Sequence, residues 1–96
     1  MPSDQVPARE LTSRQERCKE LLRRFIPQAR GILLFSRLNI YYFSGSLASG
    51  ALWLPVEGAP VLFCRRGAER AQIESSLAHI YAISRSWKLT SPMGIR

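Results

Sequence analysis

Residues 31–45 read Gly-Ile-Leu-Leu-Phe-Ser-Arg-Leu-Asn-Ile-Tyr-Tyr-Phe-Ser-Gly, an apolar run followed by a polar break and an aromatic cluster. The run 31–35 is uncharged, which is typical of a strand buried on both faces, so we expect it at the centre of a sheet. Ser36 can then cap a single helical turn that extends to about Tyr42. The stretch therefore predicts a strand, a turn and, after Gly45, a loop.

The aromatic cluster also predicts which side chains face inward. Ile40 and Phe43 are spaced as on one face of a helix, so both are expected in the core. The side chain of Asn39 is expected to hydrogen-bond nearby backbone and to fix the turn.

Two β-rich runs follow this segment. Residues 51–56 and 60–64 are separated by Glu57-Gly58-Ala59, a composition typical of a tight hairpin in which Gly58 takes a positive φ. Small residues between 44 and 50 indicate a flexible loop just before the hairpin.

A helix is predicted from about residue 12 to residue 25, capped by Thr12 or Ser13, with Gln15 or Glu16 as the capping-box partner. Pro27 ends it. Its apolar stripe is expected to face the sheet and consists of Cys18, Leu21, Leu22, Phe25 and Ile26.

A second helix over residues 67–77 should turn Ala71, Ile73 and Leu77 inward, before a strand at 80–83. A strand, a helix and a strand of these lengths form a crossover with parallel strands. The expected fold is therefore an α/β domain with a layered mixed sheet flanked by helices.

Composition limits the classes of protein that the chain can represent. Its 96 residues suffice for one globular domain, and no apolar run is long enough to span a membrane. We expect a cytoplasmic protein with two reduced cysteines. The formal charge is +7, but the basic residues are spread along the chain, so no specific nucleic-acid or membrane binding is expected.

The chain lacks the residues that metal-dependent hydrolysis requires. It contains one aspartate, Asp4, and one histidine, His79, whereas a two-metal site needs several carboxylate and imidazole ligands. The glycines show no phosphate-binding fingerprint. We therefore predict that this chain alone contains no catalytic residues, no metal ligands and no cofactor.

The segment Asn-Ile-Tyr-Tyr-Phe-Ser-Gly at 39–45 resembles the amino-terminal domain of the creatinase, prolidase and Xaa-Pro aminopeptidase family. The resemblance implies a ribonuclease H-like α/β domain that performs no chemistry. It also implies a separate carboxy-terminal catalytic domain with two divalent metal ions, manganese, cobalt or zinc. In the family, the loop after the motif lies near a neighbouring subunit's active site. The corresponding substrate-access or subunit-interface residues in this chain are Asn39, Tyr42, Ser46, Leu47 and Ser49.

The residue pattern and the resemblance together predict how the chain is organised and used. Residues 1–11 are expected to form a disordered tail, and 12–96 a domain that is incomplete at its carboxyl end, leaving one sheet face for another chain to cover. The expected function is to support homo-oligomer formation and substrate access in a Xaa-Pro peptidase-like protein. Two alternatives remain: a binding module of an inactive relative, with an acidic protein or histone as partner, and the same domain of a creatine amidinohydrolase.

Overall fold

A computed structural model describes residues 6–83 and 89–92 of the chain. The described residues form three helices and five strands. In chain order, these are α1 (Ala8–Phe25), β1 (Gly31–Leu34), α2 (Arg37–Ser44), β2 (Ser49–Pro55), β3 (Val61–Arg66), α3 (Ala68–Glu74), β4 (His79–Ile83) and β5 (Leu89–Pro92).

The five strands form one mixed sheet in the order β1-β2-β3-β4-β5. The β2–β3 hairpin is antiparallel and β4 runs parallel to β3, as predicted. Gly58 in the hairpin turn has a φ of 108°, which also confirms the predicted turn. The predicted α/β class with a mixed sheet is therefore confirmed.

The sheet has two faces of different character. Residues paired directly across neighbouring strands point to the same face, so Leu52, Leu62 and Ile80 share one side. Ile40 of α2 and Ala71 of α3 join them in the buried core. The opposite side carries Leu33, Trp53, Val61, Phe63 and Tyr81, each of which is at least partly exposed.

The prediction that 31–35 forms a central strand is wrong. Among the described strands, β1 lies at an edge of the sheet and pairs only with β2. Leu33 and Phe35 are 47% and 59% exposed, because their side of the sheet is the less covered one. An uninterrupted apolar run records only that both faces are apolar; it does not show that both are covered.

Helix α1 begins at Ala8, so residues 8–11 are not part of a tail as predicted. The Pro7 carbonyl accepts the backbone N–H groups of Glu10 and Leu11 at 3.0 and 3.2 Å. Pro7 is the N-cap, with φ −57° and ψ 143°, and proline is tolerated there because no helical hydrogen bond requires its missing N–H. Burial of Leu11 further favours the earlier start, and Thr12 and Ser13 lie inside the helix and do not cap it.

The predicted apolar stripe of α1 is confirmed at Leu22 but wrong at Leu21, Phe25 and Ile26. The buried residues of this helix are Leu11, Gln15, Lys19 and Leu22, whereas Leu21, Phe25 and Ile26 are exposed and Cys18 is half-buried. Gln15 Nε2 donates to the Phe43 carbonyl at 2.9 Å, and Lys19 Nζ donates to the Gly58 carbonyl at 3.3 Å. Long polar side chains can be buried here because their end groups have partners.

Helix α2 is confirmed, as is its cap at Ser36, whose hydroxyl accepts the Asn39 backbone N–H at 3.4 Å. Asn39 thus contributes its backbone to the turn; its side chain is exposed. Ile40 is buried and Phe43 packs against the core, as predicted. In α3, Ala71 is buried and Leu77 beyond the helix packs on the core. Ile73 is exposed, contrary to the prediction, because residues two apart on a helix point in nearly opposite directions and Ala71 faces the core.

Truncation of the core should be costly, and Leu62 offers the clearest test because it is fully buried. We expect Leu62→Ala to lower the free energy of unfolding by about 2–5 kcal/mol, measured by urea denaturation. Leu38→Ala is the matched control, because Leu38 is 79% exposed; it should change stability by less than about 0.5 kcal/mol. Equal effects of the two substitutions would contradict the assigned core.

Candidate functional site

The loop that follows α2 is held by hydrogen bonds from buried serines. Gly45 ends the helix with a left-handed φ of 81° and donates its N–H to the Tyr41 carbonyl at 2.8 Å. The Ser44 hydroxyl donates to the Ile40 carbonyl and accepts the Ser46 backbone N–H at 3.1 Å. The first residues of the loop are thereby folded back onto the last turn of α2.

Ser46 and Ser75 connect this loop to the end of α3. The Ser46 hydroxyl accepts the Ala48 backbone N–H at 3.0 Å and donates to Glu74 Oε1 at 3.3 Å. The Ser75 hydroxyl donates to the Ser44 carbonyl. All three serine side chains are buried, and buried hydrogen bonds of this kind define one conformation because breaking them leaves polar groups unpaired. The predicted flexible loop is therefore an ordered one over residues 44–48.

A β-bulge lies where the loop enters the sheet. Ser49 pairs with Arg66 and Gly50 pairs with Cys64, so Arg65 is an extra residue on β3. The two strands approach so closely that a Cβ on Gly50 would lie 1.9 Å from the Phe63 carbonyl oxygen. Glycine is required at position 50 for this reason, in addition to its φ of 156°.

The loop, the bulge and the start of α3 enclose a cavity of about 600 Å³. It is lined by Arg37, Leu47, Ala48, Ser49, Arg65, Arg66, Gly67, Arg70 and Glu74. We refer to it as the arginine cavity.

Two of its arginines are held in place by hydrogen bonds. Arg37 donates from Nε and Nη2 to the Leu47 carbonyl at 3.3 and 3.0 Å. Arg70 donates from Nε and Nη2 to Glu74 Oε2 at 3.3 and 3.1 Å.

The structure separates the five predicted loop residues into three groups. Leu47 and Ser49 line the arginine cavity, and the Leu47 side chain is 52% exposed. Ser46 is fully buried and its hydroxyl is engaged, so it supports the loop from within and does not face a ligand. Asn39 and Tyr42 do not line the cavity.

Tyr42 faces α1 instead. The Arg14 guanidinium lies 4.5 Å from the centre of the Tyr42 ring, and Arg14 Nη1 donates to the Tyr42 carbonyl at 2.8 Å. Arg17 Nη2 donates to the Tyr42 hydroxyl at 3.3 Å. These contacts make Tyr42 part of the α1–α2 packing.

The cysteines and the histidine do not add a reactive group to the site. Burial raises the pKa of the Cys64 thiol to about 11, and it also raises the pKa of Cys18. Both thiols are therefore protonated at neutral pH, which makes them weak nucleophiles and weak metal ligands. His79 is exposed at the start of β4. In residues 6–83 and 89–92, no three His, Cys, Asp or Glu side chains are grouped to hold a metal ion.

A family model described as the creatinase/prolidase N-terminal domain matches residues 12–92, most of the chain. This match extends over α1 to β5, the whole described sheet. The chain belongs to the creatinase/prolidase N-terminal domain family. A search of curated protein sequences gave no significant match.

The family membership bears out the sequence resemblance carried by residues 39–45, which lie in α2 and at its end. In this creatinase/prolidase N-terminal domain, none of the described helices is both long enough and apolar enough to cross a membrane.

Sequence reasoning missed the four arginines of the cavity. Arg37, Arg65, Arg66 and Arg70 come from three separate elements and form no motif along the chain. The one sequence feature that hints at the cavity is the pair Arg65-Arg66, directly after the predicted strand 60–64 and before Gly67. Consecutive strand residues ordinarily point to opposite faces, so the pair gives no clue to a shared cavity until the bulge is known.

Removing the Ser46 hydroxyl should loosen the loop. Ser46→Ala leaves the buried Ala48 N–H without its partner, so we expect a loss of about 1–3 kcal/mol in the free energy of unfolding. Ser13→Ala is the control, because Ser13 is exposed on α1; its effect should stay within about 0.5 kcal/mol. Chemical denaturation of both variants measures the difference, and an unchanged stability of Ser46→Ala would argue against the serine network.

Proposed function

We propose that this chain is the non-catalytic amino-terminal domain of a Xaa-Pro peptidase-like protein. In this proposal, it supports the association of subunits and narrows substrate access at a neighbouring subunit's active site. The observation that carries the proposal is the loop 44–49, which is tied to α2 and α3 from within while Leu47 projects outward. An ordered, protruding apolar residue is suited to restricting a cleft on another protein, because ordering costs no further entropy on binding.

Family membership supports the same proposal. A creatinase/prolidase N-terminal domain implies a parent protein whose catalytic domain lies elsewhere. In our proposal, that domain holds two divalent metal ions, manganese, cobalt or zinc, which would activate water and polarise the scissile carbonyl. This domain's own contribution is steric. It places Leu47 and Ser49 at the entrance to the neighbouring subunit's active site, so that only short peptides can enter.

We propose homo-oligomer formation and contact with the catalytic domain through the less covered face of the sheet. Leu33, Trp53, Val61, Phe63 and Tyr81 lie on that face, and the rings of Phe63 and Tyr81 stack with centroids 6.0 Å apart. A contiguous apolar surface of this kind favours association, because burying it releases water. We place the protein in the cytoplasm.

A second candidate is a binding module of a catalytically inactive relative that takes an acidic protein or a histone as partner. The arginine cavity and the charge of +7 favour the acidic partner. A third is the amino-terminal domain of a creatine amidinohydrolase, which would share the same fold and loop. Substrate assays of the assembled protein distinguish these candidates.

The loop proposal is tested on the domain assembled with its catalytic domain. We expect Leu47→Asp to raise KM for Xaa-Pro peptides severalfold with little change in kcat, because it alters the entrance and not the chemistry. Leu21→Asp is the matched control, because Leu21 on α1 is also 52% exposed; its KM should equal that of the unsubstituted protein.

Three results would count against the proposal. Unchanged kinetics of Leu47→Asp would show that the loop does not lie at the entrance to the active site. Hydrolysis of creatine with no cleavage of Xaa-Pro peptides would favour the amidinohydrolase. Absence of hydrolysis, together with tight binding of an acidic protein, would favour the binding module.

A further inference from the structure

Strand β1 has one edge that no other described strand pairs with. It is the first strand of the sheet and its described partner is β2. An open edge presents backbone N–H and C=O groups that can pair with a further strand, and natural edges are commonly protected by a charge, a proline or a bulge. The strand Gly31–Leu34 contains no charged residue and no proline, and its pairing with β2 runs without a shift of register. Its composition therefore leaves this edge open to pairing.

The hydrogen bonds to β2 show which backbone groups face the open edge. The Val56 N–H donates to the Arg30 carbonyl at 2.8 Å, so these two residues form a hydrogen-bonded pair. Hydrogen-bonded and non-hydrogen-bonded pairs alternate along antiparallel strands. In the observed register, the backbone of Ile32 therefore bonds to β2. The N–H and C=O groups of Gly31 and Leu33 point the other way, toward the open edge.

Exposed apolar side chains lie beside this edge. Leu33 is 47% exposed, and Phe25 and Ile26 at the end of α1 are 70% and 48% exposed. The end of α1 lies close to the start of β1, because Arg23 Nη2 donates at 3.2 Å to the carbonyl of Val56, the residue that pairs with that start. Covering these side chains releases water and favours association.

Strand β1 fits its own edge. When two copies pair antiparallel with Ile32 on the two-fold axis, Gly31 of each copy lies opposite the partner's Leu33, and both pairs are hydrogen-bonded. The Trp53 ring lies over Gly31, since a Cβ at that position would be 2.7 Å from Trp53 Cη2. Leu33 and Trp53 share a face of the sheet, so the partner's Leu33 packs beside this ring, where glycine leaves room for it. A residue without a side chain thus faces a large one on both sides of the axis.

Charge does not oppose this register. The flanking Arg30 lies opposite the partner's Leu34, and the two Arg30 residues are about four residue steps, or roughly 14 Å, apart along the strands. That distance exceeds the screening length of about 8 Å at physiological salt. The contact is the same on both copies, so it closes as a dimer and does not propagate into a fibre.

We propose that two copies of this domain pair antiparallel through β1 and join their five-stranded sheets into one. This pairing rests on the subunit association proposed above and specifies its contact. The less covered faces of the two sheets then form one continuous apolar surface, which the catalytic domain can contact. Because β1 is short, we expect a dissociation constant for the isolated chain in the roughly micromolar range.

Sedimentation equilibrium of the full 96-residue chain, at about 0.15 M salt to screen its charge of +7, tests the proposal. We expect the mass to rise from one chain to two with increasing concentration. Leu33→Lys should raise the dissociation constant about tenfold or more, because it brings two ammonium groups to the paired edge. Ile73→Lys is the matched control, because Ile73 is 77% exposed on α3, which packs on β3 and β4; it should leave the dissociation constant unchanged.

Amide hydrogen exchange identifies the paired edge directly. The Leu33 N–H faces this edge, so its protection should rise with protein concentration, whereas the Leu34 N–H, which faces β2, should be protected at every concentration. Leu33→Pro is a second variant that keeps an apolar side chain. It removes an outward N–H and no bond to β2, so the chain should fold while dimer formation is lost.

Three results would overturn the proposal. One is a chain that remains monomeric up to about 1 mM. Another is a dimer that Leu33→Lys does not weaken and in which the Leu33 amide gains no protection, which would place the subunit contact elsewhere and leave subunit association itself standing. The third is growth beyond two chains. Unchanged kinetics of Leu47→Asp in the assembled protein would bear on the entrance role alone, so the two failures are distinguishable.

Discussion

The hydrogen bonds of three buried serine hydroxyls are the constraint on which the rest of the site depends. Ser44 and Ser46 fold the loop onto α2, and Ser75 ties the same loop to the end of α3. Two of the serine bonds, from Ser46 to Glu74 and from Ser75 to Ser44, join residues 28 and 31 positions apart in the chain. Because the groups are buried, the loop cannot leave this arrangement without exposing or orphaning several polar atoms. The position of Leu47 and one wall of the arginine cavity follow from that arrangement.

The two faces of the sheet differ in role. One face packs against the helices and stabilises the fold, and the other remains partly exposed and available for contact with another protein surface. Leu52 and Leu62 are fully buried under the helices, together with Ile40. The other side keeps Trp53 and Phe63 partly exposed. In the proposed non-catalytic role, the domain acts through its surfaces, and it offers an apolar face, an ordered loop and a basic cavity. None of the apolar-face residues lines the cavity, so the face is open to separate mutational tests, whereas the loop forms part of the cavity wall through Leu47 and Ser49.

Local sequence patterns predicted where the helices and strands lie better than they predicted which of their residues are buried. The hairpin, α2 with its Ser36 cap and the parallel strand β4 follow from turn residues and periodicity, both of which act over a few residues. The edge position of β1 was not predictable in this way, because exposure of Leu33 depends on which elements cover the sheet. The inward-facing Gln15 and Lys19 were missed for a similar reason: their partners, the carbonyls of Phe43 and Gly58, lie 28 and 39 residues away. The arginine cavity could not be predicted without predicting the β-bulge, and no residue pattern in the sequence indicates that bulge.

We infer that the loop after α2 is ordered within this domain before any partner is present. Amide hydrogen exchange of the isolated chain measures this most directly, since the Ala48 N–H is buried and bonded to the Ser46 hydroxyl. We expect the Ala48 amide to exchange far more slowly than an unstructured peptide amide. Ser46→Ala should remove most of this protection, while the Leu62 amide should keep its own. Exchange of the Ala48 amide at the rate of an unstructured peptide in the unsubstituted chain would contradict this inference.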